Sequence, residues 1–133
     1  MAKWIQVQEA QDLPVGSRPV YLLRREFTLD SVQATSLKIS AQGIYTAFIN
    51  GVRVGSDELT PGYTEYSKRI QFQTYDVTEL LLEGPNAIAV ELADGWFRGA
   101  VGITQRGDQY GNRVALFAEV TNDAGETLAA TDA

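Results

Sequence analysis

The richest combination of chemical groups in this chain lies in segment 94–99, which reads DGWFRG and follows an apolar, strand-like run. Its two glycines let the backbone turn sharply and expose bulky side chains, as in the binding loops at the ends of β-sandwiches. Trp96 could stack on a sugar ring while Asp94 accepts, and Arg98 donates, hydrogen bonds to sugar hydroxyls. Alternatively, Trp96 or Phe97 fills the core and Asp94 pairs with Arg98 to hold the loop closed.

A second aromatic segment, 61–66, reads PGYTEY and combines two tyrosines with the carboxylate of Glu65. Aromatic faces pack against sugar rings and carboxylates accept hydrogen bonds from neighbouring hydroxyls. The competing interpretation is that both tyrosines cover the core where the chain turns. The candidate substrate-binding residues of the chain are therefore Tyr63, Tyr66, Asp94, Trp96 and Arg98.

The residue types present restrict the catalytic chemistry of the chain. It has no cysteine and no histidine, which excludes disulfides, thiolate nucleophiles, imidazole ligands and His-based acid–base catalysis. Hydrolysis of a glycoside needs paired carboxylates roughly 5 to 9.5 Å apart, one with a raised pKa. Asp57 and Glu58 are adjacent, and Glu91 and Asp94 flank a strand end, but neither pair lies in a catalytic motif. We therefore assign no catalytic residue.

Segment 107–113, which reads GDQYGNR, is a polar connection before the last long apolar run. The side chains of Asp108 and Asn112 are oxygen ligands of the type that calcium prefers. No dense loop of EF-hand type surrounds them, so an ordinary solvated hairpin loop is the competing interpretation. The sequence leaves a metal site undetermined.

Charge and hydropathy limit the partners of the chain. With 11 basic and 17 acidic residues among 133, the net charge is −6, which argues against binding to nucleic acid. No run approaches 18 consecutive apolar residues, so no membrane-spanning segment is expected. Residues 1–6 lack the apolar centre of a signal peptide, and the expected location is cytoplasmic.

The apolar residues of the chain alternate with polar ones, with a period of two, in the segments that position the candidate binding residues. Such alternation is typical of half-buried strands, and turn residues separate the runs. The runs are 21–29, 37–41, 70–73, 88–92 and 114–120, with shorter strands expected at 52–54 and 128–130. They predict an all-β fold: one antiparallel β-sandwich of jelly-roll or galactose-binding-like type, with seven to nine strands.

Three turns have a local physical basis. The pair Asn50-Gly51 is typical of a type I′ hairpin, in which both residues need positive φ. Residues 122–125, NDAG, predict a second hairpin with glycine in the left-handed position. Asp76 can cap a short helical turn within 77–82, the one helical element that we expect.

Four segments in this order, 44–55, 59–69, 73–78 and 92–99, resemble the N-terminal β-sandwich region of bacterial α-L-rhamnosidases. The resemblance covers residues 20–132 and implies an accessory domain whose catalytic helical barrel lies further along the polypeptide. It implies two partners, the rest of the same enzyme and rhamnose-containing carbohydrate. It also implies that segment 94–99 could dock against the barrel. Some β-sandwiches of this family resemble carbohydrate-binding modules that hold rhamnose through calcium, so the resemblance allows calcium, but no such site maps residue by residue onto this sequence. No other cofactor is expected.

We expect one domain over residues 1–133, and the strand-like end of the chain at 126–133 suggests the N-terminal fragment of a larger glycosidase. By itself the chain is expected to be inactive. A free-standing carbohydrate-binding module for rhamnose-containing glycans is the alternative, and a purely structural interaction domain is the third possibility. A docking domain presents a broad apolar patch, whereas a sugar-binding module presents isolated aromatics beside polar groups.

Overall fold

The fold is built from antiparallel strands, seen in a computed structural model that describes residues 1–9 and 12–132. The strands in those residues are β1 (Ile5–Gln6), β2 (Tyr21–Leu29), β3 (Thr35–Gln42), β4 (Ile44–Ile49), β5 (Val52–Arg53), β6 (Gln73–Asp76), β7 (Gly84–Ala93), β8 (Ala115–Asn122) and β9 (Thr127–Ala130). One sheet has the order β1-β8-β3-β6, with β9 also paired to β8, and the other has the order β2-β7-β4-β5. The predicted antiparallel β-sandwich is confirmed.

The core lies between the two sheets because alternate residues of each long strand face inward. In β3 the inward residues are Leu37, Ile39 and Ala41, all fully buried. Val90 of β7 and Val120 of β8 lie in the same apolar cluster. Burying one such aliphatic side chain contributes about 1.5–3 kcal/mol, so these inward positions hold the sheets together.

The β4–β5 hairpin has the predicted turn. Asn50 and Gly51 both have positive φ, 51° and 81°, and Ile49 pairs with Val52 across the turn. A type I′ turn requires this conformation at both central positions. The second predicted hairpin is also present, with Gly125 at φ 81° between β8 and β9.

The side chain of Asn50 does more than the turn requires. Its Nδ2 donates to the carbonyl of Leu80 at 2.9 Å and to Oδ1 of Asn86 at 2.8 Å. Its Oδ1 accepts from the backbone N–H of Ala87 at 2.9 Å. Asn50 therefore joins the β4–β5 turn to β7, which nothing in the local sequence indicates.

Two boundaries differ from the sequence prediction. The strand expected at 70–73 is wrong in position, because β6 spans Gln73–Asp76 and shares only Gln73 with the prediction. The ring of Phe72 packs against Trp4 and Phe117, with centroids 6.0 and 5.1 Å away. The helical piece expected within 77–82 is a single 3₁₀ turn, Thr78–Leu80, whose first N–H donates to Oδ1 of Asp76 at 3.0 Å. Alternation therefore misplaced the strand expected at 70–73, because pairing with β3 decides where β6 lies.

A short helix, α1 (Gly95–Arg98), replaces the loop expected after β7. Within the described residues, no helix has the length and apolar character needed to cross a membrane.

Candidate functional site

The α1 turn lies at the end of β7, close to the start of β4. Gly95 has φ 53°, and a Cβ atom there would lie 2.6 Å from Cγ2 of Ile44. A Cβ atom on Gly99 would lie 2.3 Å from the carbonyl oxygen of Gly95. Both glycines are therefore needed for the tight approach of the turn to the β-sheet and to itself.

Two aromatic side chains of α1 join a cluster of tyrosines. Phe97 is buried and its ring lies 5.5 Å from that of Tyr66, edge to face. Trp96 is half-buried, with its ring 6.1 Å from that of Tyr63. Phe97 is thus the core-filling residue of the segment, and Trp96 lies at its rim.

The guanidinium of Arg98 is completely buried. Its Nε donates to Oδ1 of Asp94 at 2.5 Å and its Nη2 to Oε1 of Glu9 at 2.8 Å. Its Nη1 donates to the carbonyl oxygen of Asn112 at 3.0 Å. Burial alone would lower the pKa of Arg98, but the hydrogen bonds to Glu9 and Asp94 outweigh it and raise the pKa. Arg98 is therefore a permanently charged, buried residue. Its pairing with Asp94 agrees with the interpretation in which these two residues hold the loop closed.

Glu9 is the central acceptor of this ionic network and its side chain is 3% exposed. Its Oε2 accepts from Arg113 at 2.8 Å, and the hydroxyl of Tyr21 donates to its Oε1. Hydrogen bonding to Arg98 and Tyr21, with the charges of Arg98 and Arg113, lowers its pKa to about 2 against the opposing effect of burial. Glu9 therefore stays ionised at every physiological pH.

Arg18 joins Asp108, one of the two residues considered as calcium ligands, to the same ionic network. Its Nη1 and Nη2 bind the two carboxylate oxygens of Asp108 at 2.7 and 3.1 Å, and Nη1 also donates to the carbonyl of Arg98 at 3.1 Å. Asn112 contributes its backbone carbonyl to Arg98. Among the described residues no group of three or more acidic side chains could hold a metal ion.

The tyrosine cluster has an exposed and a buried part. Tyr66 is 6% exposed, and its hydroxyl donates to the carbonyl of Gly62 at 2.8 Å. Tyr63 is 57% exposed, and its hydroxyl lies 3.3 Å from that of Tyr110. This hydrogen bond raises the pKa of Tyr110 to about 12.

Of the carboxylates considered for catalysis, Glu91 is exposed on β7, whereas Asp57 and Glu58, like Asp94, have protein partners. Oδ2 of Asp57 accepts from the hydroxyl of Tyr75 at 2.8 Å. Glu58 pairs with Arg53 at 3.0 Å between Oε1 and Nη1. These contacts hold the loop after β5 in place.

The structure therefore brings all five candidate substrate-binding residues to one end of the sandwich but gives them different surroundings. Tyr63 and Trp96 reach the surface, Tyr66 and Arg98 are buried, and Asp94 is engaged by Arg98 and by Arg18 at 3.8 Å. Sequence reasoning missed Glu9 and Arg18. Both lie in the N-terminal segment, 89 and 80 positions from Arg98, where no local pattern marks them.

A sequence profile described as the alpha-L-rhamnosidase N-terminal domain matches residues 30–133 of this chain. The chain belongs to this family. An α-L-rhamnosidase of Streptomyces avermitilis is 48% identical over 100 residues, which cover 74% of this chain and 10% of that protein. An α-L-rhamnosidase of Formosa agariphila is 44% identical over 108 residues, which cover 76% of this chain and 12% of that protein.

Comparison with solved structures also shows similarity to a small part of α-L-rhamnosidases. The crystal structure of native α-L-rhamnosidase from Aspergillus terreus aligns with a TM-score of 0.86 and 36% identity, covering 96% of this chain and 15% of that one. The α-L-rhamnosidase of Streptomyces avermitilis complexed with L-rhamnose aligns with a TM-score of 0.75 and 43% identity, covering 84% and 11%. This rhamnosidase N-terminal domain thus spans about a tenth of the length of the curated relatives that it matches.

Proposed function

We propose that the chain is a non-catalytic accessory domain of an α-L-rhamnosidase-like glycoside hydrolase, and that it supports the catalytic part of its own enzyme. The observation that carries the proposal is the match to an N-terminal domain that makes up about a tenth of complete rhamnosidases. The engaged carboxylates of Asp57, Glu58 and Asp94 agree with a domain that performs no hydrolysis itself.

The surface that we assign to this support is the α1 end of the sandwich. Tyr63, Trp96 and Tyr110 present their rings there. The loop from α1 to β8 returns at Tyr110, whose N–H donates to the carbonyl of Phe97 at 3.3 Å, and this loop carries the fully exposed Ile103. Exposed aromatic and apolar side chains of this kind are typical of interfaces between domains.

The rigidity of this end favours docking. Arg98 and Glu9 form a buried ion pair that joins α1 to the N-terminal segment. Arg18 donates to the carbonyl of Arg98 and pairs with the partly exposed Asp108, which adds the loop before β8. Because these contacts fix α1 relative to the N-terminal segment and to the loop before β8, the aromatic side chains at this end have one defined arrangement. Pre-organisation of this kind reduces the entropy cost of association.

The first experiment is an assay of the isolated chain with a chromogenic α-L-rhamnoside at high protein concentration. We expect no turnover above the buffer. Turnover that disappears when Asp57, Glu58 or Asp94 is replaced by the matching amide would contradict the proposal.

The second experiment tests the docking surface in the parent enzyme. Ile103→Asp should lower the thermal stability of the complete enzyme while leaving the unfolding midpoint of the isolated chain unchanged. Leu82→Asp is the matched control, because Leu82 is also an exposed aliphatic residue (60%) but lies near the opposite end, beside Asn50. Equal effects of the two substitutions on the complete enzyme would place the interface elsewhere.

A free-standing carbohydrate-binding role is the second candidate, and one observation favours it. Tyr63 and Trp96 offer surface rings beside the hydroxyl of Tyr110, a combination of stacking and hydrogen-bonding groups that suits a sugar. A single site of this kind would bind rhamnose on the order of millimolar to tens of micromolar.

Titration of rhamnose, with and without calcium, while tryptophan fluorescence is followed tests this second candidate. A saturable change that is lost in Trp96→Ala would support it. A flat titration in both conditions, or a change that survives Trp96→Ala, would leave the α1 end as a docking surface.

A further inference from the structure

The outward face of the β1-β8-β3-β6 sheet carries an ordered set of side chains, far from α1 in the sequence. The inward residues of β3 and β8, such as Leu37 and Val120, belong to the core, so the alternate residues of these strands point outward. The registers of β3 with β6 and β8 then place those outward residues in rows across the three strands.

The first row is polar, with Ser36 at its centre. Ser36 pairs with Asp76 of β6 on one side and with Thr121 of β8 on the other. Together with Asp123 these residues line a groove in the surface. The row therefore offers two hydroxyl groups, and carboxylate oxygens that accept hydrogen bonds.

The second row is charged. Lys38 pairs with Thr74 of β6 and with Glu119 of β8. Nζ of Lys38 lies 4.9 Å from the ring centroid of Phe72. The lysine therefore extends toward the aromatic row that follows.

The third row is aromatic. Ser40 pairs with Phe117, whose ring lies 5.1 Å from Phe72 and 5.8 Å from Trp4. Phe72 and Trp4 are 40% and 38% exposed. An outward sheet face is normally polar, so three aromatic residues together there need an explanation.

We propose that this face binds a neutral oligosaccharide, with one sugar ring on the aromatic row and the following rings along the polar rows. Aromatic side chains pack against the apolar faces of sugars, while hydroxyl and carboxylate groups exchange hydrogen bonds with theirs. The distance from Phe117 to Thr121 along β8 is about 13 Å, at about 3.3 Å per residue, so the face suits an oligosaccharide rather than a monosaccharide.

Charge restricts the ligand to a neutral glycan. Asp76, Glu119 and Asp123 contribute three carboxylates to the face and Lys38 contributes one ammonium, in a chain whose net charge is −6. This balance repels acidic polymers. A glycan-binding face would hold the parent enzyme near a polymeric substrate, and it is independent of the proposed docking at the α1 end.

The test measures binding of a neutral rhamnan tetrasaccharide and of free rhamnose to the isolated chain by calorimetry. We expect the tetrasaccharide to bind at least tenfold more tightly than rhamnose. Phe72→Ala should weaken tetrasaccharide binding at least fivefold, because it removes an exposed ring of the aromatic row. Leu22→Ala changes an exposed residue of β2 in the other sheet, so it is the control and should leave binding unchanged.

A second variant keeps the test independent of any effect of Phe72 on folding. Thr74→Arg changes an exposed residue at the edge of the sheet and places a bulky side chain in the middle row, so it should also weaken binding at least fivefold. Equal affinities for the two sugars, or no detectable binding, would overturn the proposal. It would also be overturned if Leu22→Ala weakened binding as much as Phe72→Ala, or if Trp96→Ala, at the α1 end, weakened it while Phe72→Ala and Thr74→Arg did not.

Discussion

The carboxylate of Glu9 and the guanidinium of Arg98 are 89 positions apart in the sequence and 2.8 Å apart in the structure. Both side chains are almost completely buried, 3% and 0% exposed. Removing one partner of such a pair leaves an uncompensated buried charge, which is more costly than the pair itself is stabilising. This contact therefore fastens the N-terminal segment to the α1 turn.

We predict that Glu9→Gln destabilises the domain at neutral pH by about 2–4 kcal/mol, because Arg98 and Arg113 lose their shared anion. The folded-state pKa of Glu9, about 2, is below its ordinary value of 4.5. Its stabilisation is therefore fully present above pH 4.5 and is lost as the pH falls through 2. Urea unfolding at pH 7, 4 and 2.5 should show the difference between parent and variant shrinking.

The control for this prediction is Glu79→Gln, an exposed residue of the 3₁₀ turn. Its effect should stay within about 0.5 kcal/mol at every pH. A Glu9→Gln difference that is constant from pH 7 to 2.5 would mean that the ionised carboxylate of Glu9 is not the stabilising group.

Arg98→Lys should cost about 2–4 kcal/mol although the charge is retained. A lysine ammonium cannot reproduce the planar fork with which the guanidinium reaches Asp94, Glu9 and the Asn112 carbonyl together. The exposed Arg106→Lys should change stability by no more than about 0.5 kcal/mol. Coincident urea midpoints for Arg98→Lys and the parent chain would contradict this role.

Gly51→Val should destabilise the domain by about 1–3 kcal/mol. Gly51 has φ 81°, and a Cβ atom there would meet no atom within 4 Å, so the cost arises from backbone conformation alone. Ala124→Val places the same side chain in the other exposed hairpin turn, and it should be nearly neutral. If the two variants unfold at the same urea concentration, the type I′ turn does not contribute as described.

Tyr63→Phe should lower the pKa of Tyr110 from about 12 toward the ordinary value near 10, because the hydrogen bond between the two hydroxyls is lost. The titration can be followed by NMR of ring-labelled tyrosine. Tyr45→Phe removes a hydroxyl that bonds to Gln73 instead and should leave Tyr110 unchanged. An unshifted Tyr110 in Tyr63→Phe would show that the pair is not formed in solution.

The sequence by itself determined the fold class, most of the strands and the two hairpin turns. In β3 the apolar residues Leu37 and Ile39 flank the polar Lys38, because one face of the strand packs against the core and the other faces outward. The alternation therefore indicates which residues are buried. The turn at Asn50-Gly51 follows from the φ angles that these two residues tolerate. Both inferences use only neighbours within a few positions, and for this reason both are confirmed.

Only the tertiary structure decided what the charged and aromatic residues do. The guanidinium of Arg98 can lie in the interior because Glu9, 89 positions away, joins Asp94 in pairing with it. Phe72 lies on the outer face with Thr74 and Asp76, because the register of β6 on β3 turns Tyr75 toward the core. The local sequence does not fix the environment of such side chains, because their partners are set by the sheet registers. Burial of a charge is favourable only where a complementary charged or hydrogen-bonding group lies next to it.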